Sequence, residues 1–445
     1  MNTSPFKWYA IPGVACLWLL IGSAAGAQYA SESSRVINVH TVNGLYTAVN
    51  NPANRGVTVR IAPGTYVLSS VYPGGASRPN QGSLRMPPGM SLVGSEKRVD
   101  PNGDGVPDPV SVDTPDDFTI PGTETIIDGS LLVLPFAERK DCADGVFPAP
   151  NAVIQIGVDN TISHLTVAAG SNVTISEPTN NPVDRNGNLS MKVTNTVLEA
   201  SGLAMTFANC ECAARRARST LTFSHNVVHG AFLGLLIQNF LTGDANNDHS
   251  DGPAIWAMLT SNLFYNNGKA LQVTGGEKGT DGGSVAVYMS GNVFSNNGTN
   301  FLSQAAISAQ EIANRVTLRS EFDTFGEASS NVSLYGGRSG AADDPQRCEL
   351  EAEFLHSRFI RDSGDTPAEI SIFGGGGSHN RAEVLIRYAT VKTSEGVRTR
   401  GGLLIQNKID PGVGTSKARL EGSRMEFLES NQGLPAPPAR FFSQR

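Results

Sequence analysis

Between Ser224 and Gly298 one short phrase is written three times: His225-Asn226-Val227-Val228, then Ser261-Asn262-Leu263-Phe264-Tyr265-Asn266-Asn267-Gly268, then Gly291-Asn292-Val293-Phe294-Ser295-Asn296-Asn297-Gly298. An Asn, a few apolar residues and an Asn-Asn-Gly turn return about every thirty residues, and self-similarity at that period is the signature of a stacked repeat. With the Asn as anchor, equivalent positions are expected at His164, Asn195, Asn226, Asn262, Asn292, Glu321, Arg358, Thr390 and Arg424. An apolar residue follows every anchor but Asn195, which Thr196 follows.

Two further alternating segments precede each anchor. The nearer runs Ala254 to Leu259, Ser284 to Met289, Arg315 to Leu318, Arg381 to Ile386 and Ala418 to Leu420. The farther includes Leu235 to Asn239, Leu271 to Val273, Ile370 to Phe373 and Leu403 to Asn407, and Gly-Leu-Leu-Ile-Gln-Asn occurs identically at 234–239 and 402–407. Each copy thus supplies about three short strands and three bends. Such strands bury no face alone, but stacked coils pair each strand with its equivalents above and below. A dozen coils at ~4.8 Å each predict a stack roughly 55 Å long. A β-propeller fits worse, because its blades run longer and carry four strands.

Composition agrees with a turn-rich all-β chain: 48 glycines among 445 residues, and only 7% aromatic. The formal charge of −7 argues against a nucleic-acid partner. Residues 1–27 read as a secretory signal, with Lys7 before an apolar run and Ala25-Gly26-Ala27 as the cleavage site. No later segment is long and apolar enough to span a membrane, so the expected product is secreted or periplasmic, and monomeric. Cys142, Cys210, Cys212 and Cys348 remain after processing, and an exported chain with an even count points to disulfides whose pairing stays open.

Residues 28–150 read as the N-terminal part of the stack. Leu45 to Val49 forms an amphipathic helical turn suited to capping the first coil. Val57 to Ile61 and Thr65 to Leu68 are strands flanking Pro63-Gly64, with further strands at Met90 to Gly94 and Thr125 to Gly129. Glu96 to Pro121 is a polar insertion containing Asp100-Pro101-Asn102-Gly103-Asp104-Gly105-Val106-Pro107-Asp108. Oxygen side chains at positions 1, 3, 5 and 9, with Gly at 6, match the start of a calcium loop. The predicted ligands of a structural Ca²⁺ are Asp100, Asn102, Asp104, Val106 through its carbonyl, and Asp108. The usual Glu at position 12 is replaced by Ser111.

The strands around Ala62-Pro63-Gly64-Thr65-Tyr66, Ile126-Ile127-Asp128-Gly129 and the Asn-Val-Phe-x-Asn-Asn-Gly phrases resemble the right-handed parallel β-helix, or pectin-lyase-like, superfamily. The resemblance spans residues 36 to 430 and implies an all-β fold: a single-domain right-handed parallel β-helix with an N-terminal capping helix. Repeats fill 151–430, and 431–445 form a tail. Its members include polysaccharide lyases, hydrolases, epimerases and adhesins, so the fold alone selects no activity.

One variable loop follows the farther strand of each coil: Cys210 to Ser219, Leu241 to Pro253, Gly275 to Gly283, Gly336 to Pro345, Gly374 to Asn380 and Lys408 to Thr415. Sharing one phase, these loops are expected to emerge along one edge of the stack and form a wall. Candidate catalytic residues are Asp248, His249 and Asp251, with Glu277 and Lys278 on the next coil and Arg338 and Asp343 farther along. A carboxylate beside a His serves general acid–base chemistry, and paired carboxylates serve glycoside hydrolysis. The ordered motif set of the superfamily's hydrolases is absent, and the Asp-Pro-His-Asp of alginate epimerases is echoed only by Asp248-His249-Ser250-Asp251. The expected function is binding of an extended, acidic polysaccharide, with lyase- or glycosidase-type cleavage as the accompanying activity. The alternative is a non-catalytic exported binding or surface protein.

Overall fold

The repeated phrase folds into two tight turns and the three-residue strand between them. A computed structural model describes residues 35–98, 121–134, 152–176, 189–209, 217–239, 252–276, 282–304, 313–326, 328, 330–337, 347–361, 370–373, 380–393, 403–409, 415–421 and 425–431. His225, Ser261 and Gly291 each take left-handed backbone, with φ of 55, 53 and 65°. The Asn that follows is buried, and its side chain ties the coils together. Asn226 Nδ2 donates to Asn262 Oδ1 (3.2 Å), Asn262 Nδ2 to Asn292 Oδ1 (2.8 Å), and Asn292 Nδ2 to Asp323 Oδ1 (2.9 Å). The same three nitrogens also donate to the carbonyls of Val193, Phe223 and Leu259. Each buried amide is thereby satisfied on both sides, as burial of polar groups requires.

The Asn-Asn-Gly turn repeats this device. Asn266 and Asn296 are left-handed, and Asn267 Nδ2 donates to Asn297 Oδ1 at 3.0 Å. Glycine follows because backbone closes in: a Cβ on Gly298 would stand 2.5 Å from the Gly268 carbonyl oxygen, and one on Gly268 would stand 2.7 Å from that of Phe232.

Strand pairing gives three parallel sheets, called I, II and III in the order each coil visits them. Among the described residues sheet I has twelve strands, sheet II ten and sheet III eleven. Around the central coil they are Ala254–Thr260, Leu263–Tyr265 and Lys269–Thr274. Residues Val36–Arg445 form one compact unit, and the architecture is a single-domain, all-β, right-handed parallel β-helix. One α-helix, Val42–Val49, lies near its start, with Thr41 Oγ1 accepting from Gly44 N–H. Leu45 and Val49 of that helix are fully buried in the core.

The interior is filled by columns of like residues. Phe264, Phe294, Phe325 and Phe359 stack with ring centroids 5.0, 5.0 and 5.3 Å apart. This is the coil spacing of a parallel sheet, so each ring rests on the one below.

Pairing corrects the sequence register at every anchor except Asn226, Asn262 and Asn292. The sheet II strands align Thr166, Val197, Val227, Leu263, Val293, Thr324, Arg358 and Thr390. The residues equivalent to the ladder Asn are therefore Leu165, Thr196, Asp323, Ser357 and Ala389, not His164, Asn195, Glu321, Arg358 and Thr390. His164 and Asn195 are the left-handed residues one step earlier. Polar identity matched them to the anchor, whereas backbone geometry defines the turn. The copy placed at Arg424 does not continue sheet II either, since Met425–Asn431 pairs with Leu403–Ile409 in sheet III. The identical Gly-Leu-Leu-Ile-Gln-Asn phrases lie two residues out of register: the column of Leu235 runs through Leu271, Phe301, Val332 and Ile370 to Ile405. An even shift keeps each residue type on its own face.

Two measurements test this core. Phe294→Ala removes a fully buried ring and is expected to cost about 3–5 kcal/mol in chemical denaturation. Asp323 is the other. Burial pushes its carboxyl up from 3.8 to about 7, against the lowering pull of the Ser320 and Asn292 donors. The unfolded chain ionises first, so this group makes stability fall as pH rises from 3.8 to about 7. Asp323→Asn extends the ladder without the charge, and is expected to raise the thermal midpoint at pH 8 while changing it little at pH 4.

Candidate functional site

Every catalytic residue expected from the sequence, Asp248, His249, Asp251, Glu277, Lys278, Arg338 and Asp343, lies outside the described residues. So do Asp100, Asn102, Asp104, Val106 and Asp108 of the calcium loop, and Cys142, Cys210 and Cys212. Cys348 is fully buried, and among the described residues there is no disulfide and no cluster of metal-ligating side chains. No helix among them is long and apolar enough to cross a membrane.

What the structure does define is where the expected loops are rooted. Leu203–Asn209, Leu233–Asn239, Lys269–Thr274, Ser330–Tyr335, Ile370–Phe373 and Leu403–Ile409 are successive or near-successive parallel strands of sheet III. The ends of these strands, where those segments begin, accordingly lie along one edge. Their return ends are held by buried amides. Asn239 Nδ2 donates to the carbonyls of Gly275 and Ser284, both at 3.0 Å, while Asn314 Oδ1 accepts from Gly283 N–H and Asn380 Oδ1 from Cys348 N–H. Sequence reading passed over these clamps, although the Gln-Asn ending of strand 233–239 was visible. Before the calcium-like segment, Glu96–Arg98 pairs antiparallel with Pro121–Thr123, closing the insertion at its base.

Next to the loop roots, Gln238 and Thr274 are paired neighbours on sheet III. Alternation turns them away from the core that Ile237 and Val273 enter, yet they are only 2 and 0% exposed. Among the described residues, Gln238 Nε2 and Thr274 Oγ1 have no hydrogen-bond partner. Such groups are costly to bury, which marks this patch as polar floor with donors to spare.

The outer face of sheet I carries a second feature. In Ala254–Thr260 the residues Ile255, Ala257 and Leu259 point inward, leaving Trp256 66% and Met258 45% exposed. Thr220 and Ala286 flank Trp256 on adjacent strands, and the Met258 column continues to Thr222 and Lys192 on one side and Tyr288 and Arg319 on the other. The cross-strand neighbours of the indole are therefore both small. Beyond Tyr288 the face becomes charged: Arg315 pairs with Glu349 (2.6 Å), Arg319 with Glu321, and Arg387 with Glu353 (3.5 Å). The alternation of residues 254–259 by itself places Trp256 on the solvent face.

No protein-family model and no curated protein sequence matches the chain. Among solved structures, it is similar to the A-modules of the mannuronan C-5 epimerases AlgE4 and AlgE6 of Azotobacter vinelandii. Each shows 14% identity and a TM-score of 0.47 over 87% of this chain, covering 97% and 91% of those chains. DFA-IIIase from Arthrobacter chlorophenolicus A6 with bound DFA-III shows 11% identity and a TM-score of 0.40, over 86% of this chain and 89% of that one. Likenesses of this size carry no argument about activity. The three stacked parallel sheets themselves define a parallel β-helix.

Proposed function

We propose that this chain binds an extended, acidic polysaccharide, gripping it across the outer face of sheet I. The observation that carries the reading is Trp256, an indole 66% exposed on a flat parallel sheet between Thr220 and Ala286. With Met258 two residues on, it forms a contiguous exposed apolar patch, and such patches mark contact surfaces. An indole face offers the C–H bonds of a pyranose a broad, polarisable partner, and its neighbours here are too small to cover it. Lys192, at one end of the Met258 column, supplies positive charge two coils away. Carboxylates spaced along an acidic glycan meet such charges favourably.

Turnover at the loop-bearing edge of sheet III is the second reading, favoured by the unpartnered Gln238 Nε2 and Thr274 Oγ1 at its floor. In that reading Asp248, His249, Asp251, Glu277, Lys278, Arg338 and Asp343 act as acids, bases and charge neutralisers. Export by residues 1–27 and a structural Ca²⁺ on Asp100, Asn102, Asp104, Val106 and Asp108 complete the proposal.

Binding is tested by titrating full-length protein with alginate, polygalacturonate and glycosaminoglycan chains. Trp256→Ala is expected to weaken the best of them about tenfold, equivalent to about 1.4 kcal/mol, with an unchanged thermal midpoint. Absence of binding to every chain overturns the reading, and release of unsaturated products or reducing ends decides between binding alone and turnover. For the ion, chelation is expected to lower the thermal midpoint and calcium to restore it. Combined Asp100→Asn and Asp104→Asn removes that response, whereas a midpoint indifferent to calcium rules the ion out.

A further inference from the structure

A buried guanidinium near the start of the chain has no anion. Arg78 is 5% exposed, and its central carbon lies 4.1 Å from the ring centre of Tyr46 and 4.3 Å from that of Tyr72. Its Nε donates to the Val71 carbonyl (3.1 Å) and its Nη2 to Asn43 Oδ1 (2.7 Å), while Nη1 is buried without a partner. Among the described residues Arg78 makes no ion pair. A charge removed from water normally retains a counter-charge, because aromatic faces and neutral acceptors offset only part of its lost hydration.

The guanidinium borders a pocket of about 470 Å³ that is also lined by Thr41, Asn43, Ser69, Val71 and Tyr72. Thr41 is the N-cap of the helix Val42–Val49 and Asn43 lies in its first turn. The opening N–H groups of a helix lack intrahelical acceptors and favour negative charge. Two independent sources of positive potential, the helix start and an unpaired Arg, thus border one space. Tyr46 is fixed beneath by hydrogen bonds from its hydroxyl to the Ser69 and Gly82 carbonyls. Tyr72 above is 38% exposed on a tight turn closed by Gly75 N–H to its carbonyl. Of the two rings, Tyr72 is therefore the one free to shift when an oxygen approaches Nη1.

We propose that this pocket binds a carboxylate carried on a sugar acid. The guanidinium fork matches the two oxygens of a carboxylate, while Ser69 and Thr41 hydroxyls and the Val71 and Tyr72 side chains suit a ring that is hydroxylated at its rim and apolar on its faces. This site is separate from the Trp256 face and holds whether or not that face binds glycan.

Calorimetric titration of the full-length protein with sodium glucuronate, sodium acetate and glucose tests the proposal. Glucuronate is expected to bind one site with Kd in the range of about 1 mM, acetate more weakly, and glucose not at all. Arg78→Met should lose glucuronate binding by about tenfold or more while folding as stably as the parent in carboxylate-free buffer, since it exchanges an unpaired buried charge for an apolar chain. Asn43→Asp is the variant that keeps the Arg. It places a built-in carboxylate where Asn43 Oδ1 already meets Nη2, and should both raise the thermal midpoint and abolish glucuronate binding. Absence of saturable glucuronate binding overturns the site, as does undiminished binding by Asn43→Asp or glucose binding as tight as glucuronate. Acetate binding as tightly as glucuronate overturns the sugar and leaves the carboxylate.

Discussion

From His164 to Tyr388 each described coil leaves sheet I and enters sheet II through a single left-handed residue, and that part of the stack depends on the turn repeating. His164, Asn195, His225, Ser261, Gly291, Phe322, His356 and Tyr388 all hold it, with φ between 49 and 65°. Only one of the eight is glycine, so most coils accept a conformational penalty of about 1–2 kcal/mol at this position. The backbone N–H of the left-handed residue offsets part of it by donating to the coil above, as in Ser261 to the Ser290 carbonyl and His356 to that of Arg387. The buried side chain that follows then closes the gap between coils. Because this corner never changes, strands on all three sheets stay in register from coil to coil.

The consequence for sequence reading is plain at particular residues. Where the corner is marked by Asn, as at 226, 262 and 292, the repeat announces itself and three strands per coil follow by alternation. Where the same corner carries Leu165, Asp323 or Ala389, nothing in the residue type identifies it, and neighbouring polar residues captured the assignment. The structural requirement is a backbone angle together with a space beside the core, and both can be met by several side chains. The phrase at 234–239 and 402–407 misled for a related reason: a strand shifted by two residues buries the same face, so identical words need not be equivalent positions. The candidate site was less legible. Loops that sit outside the repeat have no period to phase them, and the chain pattern located only their roots. Trp256 was legible in principle, since its strand alternates without a fault.

A constant interior leaves the exterior to vary face by face. Sheet I passes from hydroxyl-bearing residues such as Thr194, Ser224 and Thr260, through the indole of Trp256, into a lattice of Arg and Glu. Sheet III instead presents an uncharged polar edge beneath its loops. At the rim by the helix, Arg78 departs from both patterns by being cationic and enclosed. A solenoid keeps such surfaces apart because no coil folds back upon another, so each can change without disturbing its neighbours.

The amide ladder also has a direction. Every side chain from Asn226 to Asn292 accepts from the preceding coil and donates to the next, and the run stops at Asp323, whose ionised form can only accept. Beyond it the column passes to hydroxyls, with Ser320 donating to Asp323 and lying 3.2 Å from Ser357. The stack is therefore vectorial: a coil duplicated between Asn262 and Asn292 inherits a donor on one side and an acceptor on the other, whereas one duplicated just after Asp323 sets two carboxylates head to head. Lengthening of this protein by internal duplication is accommodated within the Asn run and resisted at the coil that carries Asp323.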